Sequence, residues 1–250
     1  MSTKNTKRIA MWSGPRNIST ALMRSFENRP DCRVVDEPFY ACFLHKTGLD
    51  HPGREMVLTS QPTEAVDVIR GLEEPLPADI SFQYEKHMAH HFLPDTPTEW
   101  LKGRHHCILL RDPRAVIASY VKSRPEVTLA DIGVLQLETL FEKITDEQSE
   151  APLVIDSDDL LRDPAAMLQA LCTRIGIEFL PAMLSWPAGK RETDGVWAPW
   201  WYARVEASTG FETRAPFEGQ LDAKWQEIAD RAGEVHRRLA RHKVMVNGSR

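Results

Sequence analysis

The segment Arg8-Ile9-Ala10-Met11-Trp12 running into Ser13-Gly14-Pro15-Arg16-Asn17-Ile18-Ser19-Thr20 constrains the fold more than any other. Residues of strand character break into a Gly-Pro turn, and a helix opens at Ser19-Thr20. Such a layout aims backbone N–H groups at whatever lies above the turn, and the helix dipole adds positive potential there. Arg16 adds a fixed cation whose planar fork suits phosphate or sulfate oxygens. Ser19 and Thr20 add hydroxyl donors. The segment reads as an oxyanion site; the plain alternative is a strand-to-helix turn capped by Ser19. It is not a Walker A loop, which needs Gly, four residues and then Gly-Lys-Ser/Thr. Counted from Gly14, the last three slots hold Ser19, Thr20 and Ala21; counted from Ser13, they hold Ile18, Ser19 and Thr20. The lysine is missing in either register, and the cation stands upstream at Arg16.

A second segment repeats the pattern. His106-Cys107-Ile108-Leu109-Leu110 is a short apolar run, as a buried parallel strand should be. It ends at Arg111-Asp112-Pro113, and a helix follows with Pro113 in its first turn. Arg111 at the strand end and Ser119 two turns into the helix reach toward one anion over the sheet edge. The alternative is that Arg111 only pairs with a nearby acid such as Asp112.

Strand patterns fall at 8–12, 33–35, 81–85, 107–110 and 152–155, and helical patterns at 19–28, 63–72, 113–122, 129–145, 164–175 and 221–241. The alternation implies parallel βαβ units in an α/β fold, a three-layer parallel sheet flanked by helices. Ligands in such sheets sit beyond the C-terminal strand ends, where Gly14, Glu37, Lys86 and Arg111 all fall. The 250 residues suit one domain with a full core. Residues 45–61 read as a Gly-, Pro- and His-bearing loop or lid. The tail after His242 is expected to fray. A net charge of −5 argues against general nucleic-acid binding. There is no leader pattern at the N-terminus and no apolar run of membrane-spanning length. Cys32, Cys42, Cys107 and Cys172 show neither disulfide nor metal spacing. Reduced thiols and a cytoplasmic setting are expected.

The paired anion segments resemble the two nucleotide-binding signatures of sulfotransferases that use 3′-phosphoadenosine 5′-phosphosulfate (PAPS). That family's Pro-Lys/Arg-Ser-Gly-Ser/Thr-Thr loop is matched by Pro15-Arg16-Asn17-Ile18-Ser19-Thr20. Its Arg and Ser eight residues apart are matched by Arg111 and Ser119. Asp158-Asp159-Leu160-Leu161-Arg162-Asp163-Pro164, followed by Ile175-Gly176-Ile177, is similar to the family's Glu-Asp-Leu-x-x-Asp-Pro helix and its Leu-Gly-Ile/Leu turn. Asp36-Glu37-Pro38-Phe39 is similar to the Glu-Pro-Phe/Leu of carbohydrate-type and trehalose enzymes. Asn17 replaces the usual Ser and Ile18 the usual Gly, which suggests a divergent soluble bacterial-type branch.

The resemblance implies a P-loop-type fold, PAPS as donor, 3′,5′-adenosine bisphosphate (PAP) as product, and a small-molecule or sugar acceptor. No nucleic-acid or membrane partner is expected, and a homodimer stays open. Pro15, Arg16, Asn17, Ile18, Ser19 and Thr20 would hold the 5′-phosphosulfate, and Arg111 with Ser119 the 3′-phosphate. Lys190 and Arg191 match a basic stretch that closes over that phosphate. They lie in a Trp-rich segment, 186–217, read either as a substrate or cofactor lid or as core packing. Arg16 would stabilise the leaving phosphate by charge alone. Glu37 is the leading base, with the anion loop expected to hold its pKa low; its alternative is an ion pair with Arg16. Asp36 beside it reads as structural. Histidine is the rival base. The stretch from Tyr84 to Pro94 resembles the Lys-Thr-His-Leu-Pro of cytosolic enzymes, in a register that leaves His87 and His90 both open. Their spacing fits no standard zinc pattern, so no metal is expected. A small-molecule kinase or nucleotide hydrolase, and a non-catalytic nucleotide-binding relative, remain the other readings.

Overall fold

The computed structural model describes residues 6–122, 126–213 and 215–246. Its axis is β1 (Lys7–Ser13). Successive side chains of a strand point to opposite faces. Ala10 and Trp12 therefore join one core with Ile108 and Leu110, while Ile9 and Met11 join another with Leu22, Phe26 and Leu109. A strand buried on both faces belongs to a parallel sheet covered by helices on both sides. β2 (Cys32–Asp36), β3 (Phe82–Met88), β4 (Arg104–Leu110) and β5 (Leu153–Asp156) complete it in the order β2-β3-β1-β4-β5, every pairing parallel.

The first helices in chain order are α1 (Ser19–Glu27), α2 (Tyr40–Thr47), α3 (Arg54–Ser60), α4 (Ala65–Leu72), α5 (Pro113–Tyr120) and α6 (Val134–Gln148). Then come α7 (Ser157–Arg162), α8 (Pro164–Ile175), α9 (Ala198–Trp201), α10 (Ala203–Glu206) and α11 (Ala223–Ala240). α4, α5, α6 and α11 cover the Trp12 face; α1, α7 and α8 cover the Met11 face. This is the three-layer α/β architecture that the alternation of patterns predicts. The strand order turns back beside β1, so β3 and β4 flank it. The C-terminal ends of these strands form the crevice where open α/β sheets bind ligands.

Several boundaries differ from expectation for identifiable reasons. β3 runs three residues past the expected Glu85, and β4 starts three before the expected Cys107. Most of the extra residues are polar, but they pair with residues inside the expected strands. Arg104 Nε donates to Glu85 Oε2 at 3.0 Å, His87 Nε2 lies 3.1 Å from the same oxygen, and Trp12 Nε1 donates to His106 Nδ1 at 3.0 Å. α6 starts at Val134 rather than 129 because 128–133 closes a turn: Asp131 Oδ2 accepts from Thr128 N at 2.8 Å, and Gly133 takes φ +71°. The segment 45–61 is not chiefly loop: it holds the end of α2 and all of α3, and Val57 joins a small core with Phe43, Leu44 and Trp197. The tail does not fray at His242, since Val244 N donates to Val154 O of β5 at 2.8 Å; residues 247–250 lie outside the described residues. The four cysteines are buried and unpaired. No helix among the described residues is long and apolar enough to cross a membrane.

Candidate active site

The turn between β1 and α1 is fixed from below. Asn17 Nδ2 donates to the Leu109 carbonyl of β4 at 2.9 Å, and Asn17 Oδ1 accepts from Ile18 N at 2.9 Å. Arg16 sits in the left-handed region at φ +57°, a conformation that costs an L-residue about 1–2 kcal/mol. The Arg111 guanidinium, at the end of β4, donates to the Arg16 carbonyl. Arg16 Nε donates to Ser119 Oγ, in the last turn of α5, at 3.1 Å. Three chain segments thus bring Arg16, Arg111 and Ser119 together. α1 receives no side-chain cap, so its first N–H groups lack a side-chain acceptor, as an anion-binding helix start requires. Asp112 Oδ1 accepts from the N–H of Arg114 at 2.9 Å and so caps α5.

A buried charge network stands across a cavity of about 280 Å³. The parallel register sets Lys86 of β3 opposite Asp36, the last residue of β2. Lys86 Nζ donates to Asp36 Oδ1 at 2.8 Å, to Glu37 Oε1 at 2.5 Å and to the Tyr202 hydroxyl at 2.8 Å, which uses all three of its protons. Glu37 is buried and also left-handed, at φ +42°. Its Oε2 accepts no hydrogen bond among the described residues; His91 Nδ1 lies 3.9 Å away. Burial pushes the Glu37 carboxyl above the ordinary carboxylate range; Asp36 adds to the shift, and Lys86 opposes it. Burial would lower Lys86, but Asp36 and Glu37 outweigh it and hold the ammonium well above its usual value. Burial drives His91 well below its usual value and His90 down to about 4, with neighbouring histidines adding to both. Both imidazoles are neutral at pH 7. Glu37, Lys86, His90, Arg16, Arg111 and Ser119 all line this one cavity.

Residues 7–246 match the family described as a sulfotransferase domain. The chain belongs to the sulfotransferase family. Two Arabidopsis thaliana relatives, "Branched-chain-amino-acid aminotransferase-like protein 1" and "protein 2", are each 36% identical to it, over 234 and 205 residues. The matches cover 94% and 82% of this chain but only 42% and 36% of theirs, so the chain spans well under half of either relative. Among solved structures, the sulfotransferase domain of the Synechococcus PCC 7002 olefin synthase superposes with a TM-score of 0.55 at 18% identity, covering 93% of this chain and 97% of that one. Mouse sulfotransferase SULT7A1, solved with PAP, gives 0.50 at 14% identity, covering 96% and 90%. These two show the shared sulfotransferase fold.

Most of the expected site residues meet at the cavity. Pro15 to Thr20, Glu37, His90, Arg111 and Ser119 line it. Glu37 pairs with Lys86 rather than Arg16, and its pKa moves up rather than down. The structure places His87 apart from them: it lies in β3, stacked on Trp12 at 4.3 Å and bonded to Glu85, and does not line the cavity. Lys190 and Arg191 are also placed apart. Neither lines the cavity; Arg191 donates to the Pro187 carbonyl and lies 3.7 Å from Glu27. The Trp-rich segment divides its roles: Trp186 and Trp197 are buried in cores, while Trp201 and Tyr202 line the cavity. The sequence reading missed Tyr202 and the use of Lys86. Lys86 carried a signal, a lysine at a strand's C-terminal end; Tyr202 carried none that sets it apart from its aromatic neighbours.

Proposed function

We propose that the protein is a PAPS-dependent sulfotransferase acting on a hydroxyl or amine of a small-molecule or carbohydrate acceptor. The observation that carries this reading is one cavity with a double-arginine anion cradle on one side and a buried carboxylate with an unbonded oxygen on the other. The donor set fits PAPS: two fixed guanidiniums, two hydroxyls and an uncapped helix start suit an anion with charges at separate positions. When bound, PAPS supplies an activated sulfuryl group on a phosphate leaving group. Arg111 and Ser119 would hold the 3′-phosphate. The turn from Pro15 to Thr20 would hold the 5′ end, and the Arg16 charge would neutralise the negative charge that develops as the leaving phosphate departs. Glu37 Oε2 would take the acceptor proton as the acceptor atom forms its bond to sulfur. Neutral His90 would orient the acceptor by hydrogen bonding.

Calorimetric titration with PAP and with 5′-AMP tests the reading without an acceptor. PAP should bind more tightly, since a charge-assisted contact contributes about 1.5–3 kcal/mol. Arg111→Ala should weaken PAP roughly tenfold or more and barely change 5′-AMP. Equal affinity for the two nucleotides in the parent protein sinks the assignment.

A further inference from the structure

The hydrogen bonds around Tyr202 leave its proton one destination. Its oxygen receives Lys86 Nζ at 2.8 Å and Trp197 Nε1 at 3.1 Å, so both lone pairs are occupied. The phenolic proton then points to Asp36 Oδ2, 2.6 Å away; Glu37 Oε1, at 3.5 Å, is the more distant choice. Gly195 N adds a longer bond to the same Asp36 oxygen at 3.3 Å. Asp36 is therefore bonded on both oxygens, while Glu37 is bonded only on Oε1. Two carboxylates share one ammonium, and the hydroxyl is bonded to both the ammonium and Asp36.

We propose that Tyr202 is a positioning residue for the base: by donating to Asp36 it offsets that charge, keeps Lys86 shared, and leaves Glu37 Oε2 as the proton-accepting oxygen. The proposal deepens the reading of Glu37 as base and rests on it. The groups facing Glu37 are few. β2 supplies Asp36, β3 supplies Lys86, the turn Ala89–His91 supplies His91, and the junction of α9 and α10 supplies Tyr202. α2 supplies Tyr40, which is stacked on His91 at 4.5 Å, and Gln61 touches only the Glu37 backbone carbonyl. His91 is neutral, so among the described residues Lys86 is the positive group in contact with Glu37 and Asp36 is the negative group that acts on it. Burial holds the Tyr202 phenol well above its usual value, which keeps it a donor at working pH. Removing the donor leaves Asp36 less compensated. A less compensated anion beside Glu37 raises the proton affinity of Glu37.

The test follows the proton directly in the ligand-free protein. Glutamate labelled with ¹³C at the carboxyl carbon is titrated by NMR, and the Glu37 signal is the one absent from Glu37→Gln. Tyr202→Phe should move the Glu37 titration upward by about half a pH unit or more, roughly a threefold rise in proton affinity. Replacing Tyr202 with 3-fluorotyrosine, a stronger donor of the same shape, should move it downward. That second arm decides the matter if Tyr202→Phe does not fold. An unshifted titration, or a downward shift in Tyr202→Phe or an upward one with 3-fluorotyrosine, overturns the proposal. The base itself is tested apart from this. If the titrations shift as expected while Glu37→Gln keeps full turnover, the Tyr202 network stands and the base assignment falls.

Discussion

At the scale of single residues, the site is marked by backbone strain as well as charge. Non-glycine residues with positive φ among the described residues are Arg16, Glu37 and Ser149, and the first two line the same cavity. Such conformations persist only where the surroundings over-determine them. Here the Arg111 guanidinium holds Arg16, and Glu37 N donates to the Lys86 carbonyl at 2.9 Å. The shifted carboxyl sets the pH dependence. A base acts when ionised, so the rate should rise with pH through a limb above the ordinary Glu value of about 4.3. The same shift has a sign in stability. A carboxyl whose folded pKa is raised favours folding at low pH, and that contribution is lost as pH rises through the folded value. Glu37→Gln should cost on the order of 10²–10⁴ in rate, flatten the limb and still bind PAP. A limb below 4, or an unchanged rate, removes Glu37 from the role.

At the scale of elements, the anion turn depends on a loop distant in sequence. A Cβ on Gly14 would lie 2.4 Å from the carbonyl oxygen of Ile132 and 3.9 Å from the Gly133 Cα. The first distance is inside contact with rigid backbone, so Gly14→Ala must push the 128–133 turn off the β1–α1 turn. The expected outcome is a clear loss of thermal stability, of order 1–3 kcal/mol as for overpacking, together with weaker PAP binding. A stable Gly14→Ala protein with unchanged PAP affinity would contradict the close approach. Much of this level was legible in the sequence. The β1 turn, the Arg111 to Ser119 spacing and the α/β alternation follow from local patterns, because a strand end and two helical turns fix where those side chains go. β3 and β4 were read too short because Lys86, His87, Arg104 and His106 are polar by composition and buried by pairing. α2 and α3 were hidden by the Gly and Pro residues between them. The position of Lys190 and Arg191 was not legible because their loop is tied to α1: Glu27 lies 3.7 Å from Arg191, and Asp194, which accepts from the Arg191 N–H at 2.8 Å, is paired with Arg24.

At the scale of the whole molecule, a buried ion pair ties the helix of the anion turn to the segment that completes the Glu37 network. Arg24 of α1 donates bidentately to Asp194 at 2.5 and 2.7 Å, with side-chain exposures of 1% and 5%. α1 begins at the anion turn, and Asp194 opens the segment that packs Trp197 into a core and brings Trp201 and Tyr202 to the cavity. The pair therefore fixes the segment that completes the Glu37 network to the helix that starts the anion cradle. Replacing Asp194 with Asn leaves Arg24 with Glu27 alone, at 3.1 Å. Removing one partner of a buried pair costs roughly 3–5 kcal/mol, and the remaining Glu27 contact puts this case at the lower end. A fall in Tm on the order of 5–10 °C is expected. The damage should be local before it is global. Lys190 and Arg191 just before this segment and Arg204 within it offer trypsin sites, and cleavage there should accelerate below the melting temperature as the segment leaves its place. With Tyr202 withdrawn, the Glu37 titration should also move upward, as in Tyr202→Phe. A lowered Tm without faster cleavage at these residues would mean that Arg24 and Asp194 stabilise the fold as a whole and do not dock the segment on the site.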